Sequence, residues 1–393
     1  MYWFSRKKKE TPPTNGLILP GGGARNAYQA GVLKALAKIL PENSANPFPV
    51  ISGTSSGAIN AAILASNATQ FSEGISRMIG IWENFHCGKI FDVNTWTALK
   101  SGLRWTSSFA SAGLGRSAPR ALLDNTAQRE FIESHIRLAR VQHAIDTGAL
   151  RALAITASSY SSGLSFNYFQ GVDGLRPWQR QHRQGLAEEI SIDHLMASSA
   201  IPLVFPAVWL NDEYQGDGSM RESAPLSPAI HLGADRLLII GVRNPAPDPK
   251  PPAGSKVPYP SMGQITGYML DTLFMDRLDS DIERMNRINH IIGETGSRYI
   301  EHEDTTLRPI EFLMISPSKD IREISERLTK DFPRSVRLLL RSMGALSHES
   351  RPLLSYLLFE ASFCQELIEL GYQDGLNARS EIIELLELDK PDG

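Results

Sequence analysis

Gly53-Thr54-Ser55-Ser56-Gly57 is a Gly-x-Ser-x-Gly pentapeptide in a setting that allows its serine to act as a nucleophile. The apolar run Phe48 to Ile51 leads into it, and a small-residue helix, Ala58 to Ser66, is expected to follow. A serine in such a strand-to-helix turn has a strained backbone and projects its hydroxyl off the sheet edge. Gly53 and Gly57 leave room for so tight an elbow. The helix behind aims its N-terminal amides at the same spot, which favours a developing negative charge. Gly and Ser are also common turn residues, so what else the chain brings to that edge decides the chemistry.

One partner is Gly21-Gly22-Gly23-Ala24-Arg25-Asn26. It follows a short apolar strand, Gly16 to Pro20, and opens into a helix from about Ala27 with Val32, Leu33, Leu36, Ile39 and Leu40 on one face. The first 66 residues therefore read strand, glycine loop, helix, strand, elbow, helix, with both glycine-rich turns at one edge of a parallel sheet. Bare backbone amides at a helix start bind either an oxyanion or a pyrophosphate. A dinucleotide site needs an acidic residue at the end of the second strand. Here that strand ends in Ser52-Gly53-Thr54-Ser55, and Asn26 stands where a Gly-x-Gly-x-x-Gly match needs its last glycine. The oxyanion reading is favoured; a nucleotide-binding oxidoreductase using the Gly21 loop is the alternative of a different class.

An activated serine also needs a base, either histidine backed by a carboxylate or a carboxylate acting directly. None of the nine histidines stands in a short motif suggesting a turn at a strand end. His194 and His231 come nearest, and each reads better as a surface or packing residue. Asp217 sits between Gly216 and Gly218 just after an apolar segment, where the backbone can place its side chain at the sheet edge. An Asp-Gly pair is also a plain turn signal.

Taken together, Gly21-Gly22-Gly23-Ala24-Arg25, Gly53-Thr54-Ser55-Ser56-Gly57, Ala197-Ser198-Ser199-Ala200-Ile201-Pro202 and Asp217-Gly218 resemble the patatin-like phospholipase family in order and context. The continuation Ala224-Pro225-Leu226-Ser227-Pro228-Ala229-Ile230 resembles its bacterial members. The resemblance implies a three-layer α/β/α sandwich with a mainly parallel central sheet, here with a helical C-terminal extension. It implies Ser55 as nucleophile, Asp217 as general base and acid without histidine, and an oxyanion hole from the amides of Gly21, Gly22 and Gly23. Arg25 would fix that loop or add positive charge nearby; Gly53, Gly57 and Gly218 would support the elbow and the Asp-Gly turn. The implied reaction is hydrolysis of fatty-acyl esters of glycerophospholipids or lysophospholipids through an acyl-enzyme, with transient membrane contact and neither a cofactor nor a metal. A general carboxylesterase or thioesterase with the same dyad is the alternative within enzymes. Ser219 departs from the family's usual glycine or alanine, as Asn26 does from its glycine.

The rest of the chain sets the frame. Its 393 residues, 42% hydrophobic and 21% charged, fit a soluble globular protein, and a net charge of −3 does not suggest a nucleic-acid binder. Two cysteines without metal-ligand spacing indicate neither a disulfide framework nor zinc. No signal-peptide h-region or membrane-spanning run occurs, so a cytoplasmic protein, peripheral at the membrane, is expected. Residues 1–15 read as a flexible basic terminus, 16–244 as the catalytic core, and 245–393 as a proline-rich linker, long helix, late strand and helical extension. Helices are expected over Phe71 to Phe85 and Leu122 to Leu138. A long amphipathic helix is expected with Ile265, Met269, Leu273, Ile282, Met285 and Ile292 on its apolar face. Trp96 to Gly115 reads as a flap or as ordinary tryptophan packing, and Trp178 to Glu189 as a polar surface segment. Arg334, Arg337 and Arg341, beside Val336, Leu339 and Leu340, form a basic amphipathic face. It suits either anionic lipid or packing with the arginines solvated.

Overall fold

The computed structural model describes residues 13–90, 121, 124–202, 204–246, 254, 259–294, 300–302 and 305–388. The chain opens β1 (Asn15–Leu19), α1 (Ala27–Ile39), β2 (Val50–Thr54), α2 (Ser56–Ser66) and α3 (Phe71–Glu83). After α4 (Thr126–His135) and α5 (Ala139–Asp146) come β3 (Ala152–Ser159), β4 (Ser165–Gly171), β5 (Trp178–Arg180) and β6 (Arg183–Ala187). Next are α6 (Ile192–Ser198), β7 (Val208–Leu210), β8 (Glu213–Asp217), α7 (Ser227–His231) and β9 (Arg236–Ile240). The C-terminal part comprises α8 (Met262–Asp271), a π turn (Thr272–Asp276), α9 (Arg277–Glu294), the strand pair β10 (Ile300–His302) and β11 (Thr305–Leu307), and β12 (Glu311–Ile315). Helices α10 (Ile321–Arg327), α11 (Arg334–Ser342), α12 (Arg351–Leu357), α13 (Ala361–Asn377) and α14 (Arg379–Leu385) close the chain.

The main sheet runs β12-β9-β1-β2-β3-β4-β6-β5, with β8 paired to β3 and β7 to β8. It is mixed: β12 to β3 are parallel, whereas β3 is antiparallel to both β4 and β8. Its central strands are buried on both faces, which is why they read as unbroken apolar runs. Alternation along them divides two cores. Leu17, Leu19, Ile51, Leu153 and Ile155 point into the larger core, with α1, α2, α3 and α13. Ile18, Val50, Ala152, Leu237 and Ile239 point into the smaller one, against α7 and α9. Helices thus flank both faces of the sheet, giving the expected three layers.

Three expectations change. The helix expected over Leu122 to Leu138 is broken: α4 ends at Ile136, whose extended backbone (φ −113°, ψ 122°) starts a new direction before α5. Trp178 to Glu189 forms the edge of the sheet, because Trp178 is buried against Phe169 with ring centroids 5.1 Å apart. The long helix is interrupted by the π turn. Gly263, Gly267 and Leu270 take the inner face of α8, so Ile265 and Met269 face solvent, while Met285 and Ile292 are buried as expected. The expected flap, residues 1–12 of the basic N-terminus and most of the proline-rich linker (247–253 and 255–258) lie outside the described residues.

Candidate active site

Ser55 stands between β2 and α2 at φ 56°, ψ −130°, a conformation that L-residues avoid and that costs about 1–3 kcal/mol. Its neighbours impose it. Gly57 lies so close to β1 that a Cβ there would come within 2.0 Å of the Leu19 carbonyl oxygen, which explains the glycine. The Ser55 amide donates to Ser198 Oγ (2.9 Å), and Ser198 Oγ donates to the Thr156 carbonyl (2.6 Å). The residue before it, Thr54, donates its hydroxyl to Glu222 Oε2 at 2.8 Å, and Thr156 donates to the other oxygen at 2.9 Å. Ser55 is therefore held from β3, from the end of α6 and from a buried carboxyl.

Sheet register brings Asp217 to the same edge. Thr54 pairs with Thr156, and the next residue of β3, Ala157, pairs with Asp217, the last residue of β8. The Asp217 amide donates to the Ala200 carbonyl at 2.9 Å, so the Ala197-to-Pro202 segment ties to both Ser55 and Asp217. Gly218 follows in a short 3₁₀ turn packed against β3, where Ser158 Oγ donates to its carbonyl at 2.8 Å.

Burial pushes the Asp217 carboxyl up to about 6, while the Ser55 side chain and then Ser219 pull it back toward ionisation. Oδ1 accepts the Ser219 amide at 2.9 Å; Oδ2 is buried without a hydrogen bond. The Ser55 hydroxyl is thus within electrostatic reach of the carboxyl but not in a closed hydrogen bond, a looseness common before substrate tightens a site. Glu222 lies beneath, pushed by burial up to about 7 although both threonines stabilise its charge.

The glycine loop faces the elbow from β1. Gly23 takes φ +57°, and a Cβ there would stand 2.4 Å from the Tyr356 carbonyl oxygen. Gly21 is pressed between the Phe274 ring and Ser219 Oγ, and Gly22 accepts the Arg25 amide at 3.1 Å. The Arg25 side chain is 1% exposed and turns toward the C-terminal helices. It donates to Ser355 Oγ (2.8 Å), Asp271 Oδ1 (2.9 Å), Tyr356 Oη (3.1 Å) and the Pro352 carbonyl (3.3 Å). Its guanidinium stacks 3.7 Å from the Tyr356 ring centre. Arg25 therefore anchors the loop, and its charge is matched by Asp271. Asn26 adopts ordinary helical angles (φ −72°) and donates to the Pro20 carbonyl at 2.9 Å, so that position requires no glycine.

Ser55 and Gly23 border a narrow apolar cavity walled by Ile59, Trp82, Phe85, Phe131 and Phe205. Trp82 is fixed by its indole N–H to Asn60 Oδ1 at 2.9 Å. Gln128 and Ser199 join across the wall at 2.9 Å. No histidine lines it among the described residues. His194 caps α6 with Ser191 and packs on Tyr168, and His231 stacks on Trp178. Burial lowers the pKa of both. No group of metal-ligating side chains occurs among the described residues. Sequence reasoning missed Glu222, because an isolated glutamate carries no motif, and it gave Ser198 no role.

A family model described as Patatin-like phospholipase matches residues 17–230. Among curated proteins, Lysophospholipase nte1 of Aspergillus terreus is 49% identical over 53 residues, covering 14% of this chain and 3% of the fungal protein. The chain thus corresponds to a small fraction of that relative's length. Among solved structures, VipD from Legionella pneumophila aligns with a TM-score of 0.40 at 11% identity, over 94% of this chain and 67% of its own. Human GIVD cytosolic phospholipase A2, solved with methyl gamma-linolenyl fluorophosphonate, gives 0.41 at 12%, over 95% and 59%.

Proposed function

The chain belongs to the patatin-like phospholipase family, and from that premise we propose that it is a serine acyl hydrolase acting on fatty-acyl esters of phospholipids or lysophospholipids. Ser55 attacks the ester carbonyl as Asp217 takes its proton. The tetrahedral oxyanion is held by amides of the Gly21–Gly23 loop, with the positive end of α2 directed at the same point. Collapse expels the alcohol, which receives the proton from Asp217 and leaves an acyl-enzyme. Water, deprotonated by the same carboxylate, then releases the fatty acid and restores Ser55.

The observation that carries this reading is Asp217 itself. It is a buried carboxyl with one unpartnered oxygen, brought by the register of β8 on β3 to the edge that carries Ser55 and raised to about 6 by burial. Such a group is ionised at neutral pH yet basic enough to accept a proton, as a general base must be. The apolar cavity beginning at Ser55 suits an acyl chain and supports lipid over a small polar ester.

The test is labelling with a fluorophosphonate probe together with hydrolysis of lysophospholipid, phospholipid and acyl-thioester substrates. Labelling of the native protein, its absence in Ser55→Ala, and preference for lipid esters are expected. Fast thioester turnover with inert lipids would move the assignment to a thioesterase. Dinucleotide stabilisation without labelling would replace the hydrolase reading altogether.

A further inference from the structure

Helix α8 reverses the usual amphipathic order. Its inner face carries glycines: a Cβ on Gly263 would come within 2.5 Å of Ala345, and one on Gly267 within 2.8 Å of the Leu353 backbone. The bulk lies outside. Met262, Ile265, Met269 and Thr272 recur at three- and four-residue spacing with Tyr268 beside them, and all five are exposed. Tyr268 is 73% exposed, Met262 64% and Met269 56%, and Tyr259, just before the helix, is 92% exposed. The one charged residue of α8, Asp271, is engaged by Arg25 and Tyr356. A surface helix ordinarily shows charged and polar side chains to water, and a contiguous apolar face marks an interaction surface.

Position and charge identify the occupant. The π turn that continues α8 sets the buried Phe274 against Gly21, so the helix that carries the apolar face runs into the segment packed on the glycine loop of the proposed site. The start of α8 is bonded to the end of α11: the Gly263 amide donates to the Met343 carbonyl (3.0 Å) and Ser261 Oγ to the Gly344 carbonyl (3.1 Å). Helix α11 buries Val336 and Leu340, contains no acidic residue, and exposes Arg334, Arg341 and Leu338. Apolar and aromatic side chains beside arginines are what a helix presents to lipid headgroups and the acyl boundary beneath them. Of the carboxylates close by, Asp271 is engaged by Arg25, and Glu349 stands exposed in the turn whose Ser350 meets Ser261.

We propose that the outer face of α8, with the exposed arginines of α11, is the surface on which this chain rests on an anionic phospholipid bilayer. Its purpose rests on the acyl hydrolase reading, but the binding measurement does not. Sedimentation with phosphatidylcholine vesicles, with and without phosphatidylglycerol, is run on Ser55→Ala protein so that no lipid is consumed. Binding is expected to be stronger with phosphatidylglycerol and to weaken with salt. The pair Tyr268→Ser/Met269→Ser, and separately Arg334→Gln/Arg341→Gln, should each lower partitioning by about tenfold or more. With Ser55 restored, the same pairs should leave hydrolysis of a soluble short-chain ester within about twofold and thermal midpoints unchanged, since these side chains face solvent. Undiminished binding by both pairs, no binding to either vesicle, or a dimer dispersed by the Tyr268/Met269 pair would overturn the proposal. A native protein that binds vesicles but hydrolyses no ester would defeat the hydrolase reading and leave the docking surface standing.

Discussion

The serine elbow and the glycine loop face each other across one cavity, but different parts of the chain hold them. The elbow is braced from within the segment matched by the family model: Ser198 takes the Ser55 amide, and Glu222 and Thr156 tie down Thr54. The loop is braced from outside it, by Phe274 on Gly21, by Tyr356 on Gly23, and by Asp271, Pro352, Ser355 and Tyr356 on Arg25. The lesson is that the family-matched segment carries every proposed reacting residue yet does not by itself shape the loop proposed to stabilise the oxyanion. The C-terminal helices complete that half.

The contrast can be broken at either side. On the elbow side, Asp217→Asn keeps the shape and removes the proposed base. It should lower kcat/KM for lysophospholipid on the order of a thousandfold or more, with vesicle binding retained. On the loop side, Asp271→Ala leaves the buried Arg25 guanidinium short of its counter-charge. It should destabilise the fold by about 3 kcal/mol and reduce kcat by about 10- to 100-fold with little change in KM, read by denaturant melts and steady-state kinetics. Equal kcat for Asp271→Ala and the native protein would show that the C-terminal brace does not reach the loop.

Two pH measurements sharpen the elbow side. Protonated Asp217 cannot accept the serine proton, so kcat/KM should fall as pH drops through about 6; a limb near the ordinary carboxylate range would mean that burial does not set it. Glu222 is raised from an ordinary 4.5 to about 7. A carboxyl raised in the folded state binds its proton more tightly there than when unfolded. The native protein should therefore lose stability as pH rises from 4.5 toward and past 7. Glu222→Gln removes that slope and should be the more stable protein at pH 8 by on the order of 2 kcal/mol, a gap that closes toward pH 5 in urea melts. The smallest effect is expected at the histidines: His194→Gln and His231→Gln should leave hydrolysis within about twofold, because both side chains engage packing partners away from the cavity. Loss of activity in either would bring a histidine back into the reaction.

Reading the sequence located the first strand, helix, strand and elbow almost to the residue, because periodicity and glycine punctuation there are local signals. It misjudged the face of the long helix because it assigned the bulky apolar residues to the core. Helix α8 instead turns Gly263 and Gly267 inward, where a Cβ would collide with Ala345 and Leu353. That close approach, invisible in the sequence, leaves Ile265 and Met269 outside.

What the chain determines by itself is the pair of glycine-rich turns after successive parallel strands, since a tight elbow and a φ of +57° admit few residues other than glycine. It also supplies an Asp-Gly pair able to end a strand. Only the tertiary structure decides that Asp217 stands across β3 from the elbow, because antiparallel pairing of β8 with β3 joins residues remote in sequence. The same holds for Glu222 beneath both strands, and for Arg25, whose partners lie more than 240 positions away. Local chemistry can prescribe a turn; long-range pairing and burial choose the groups that meet there.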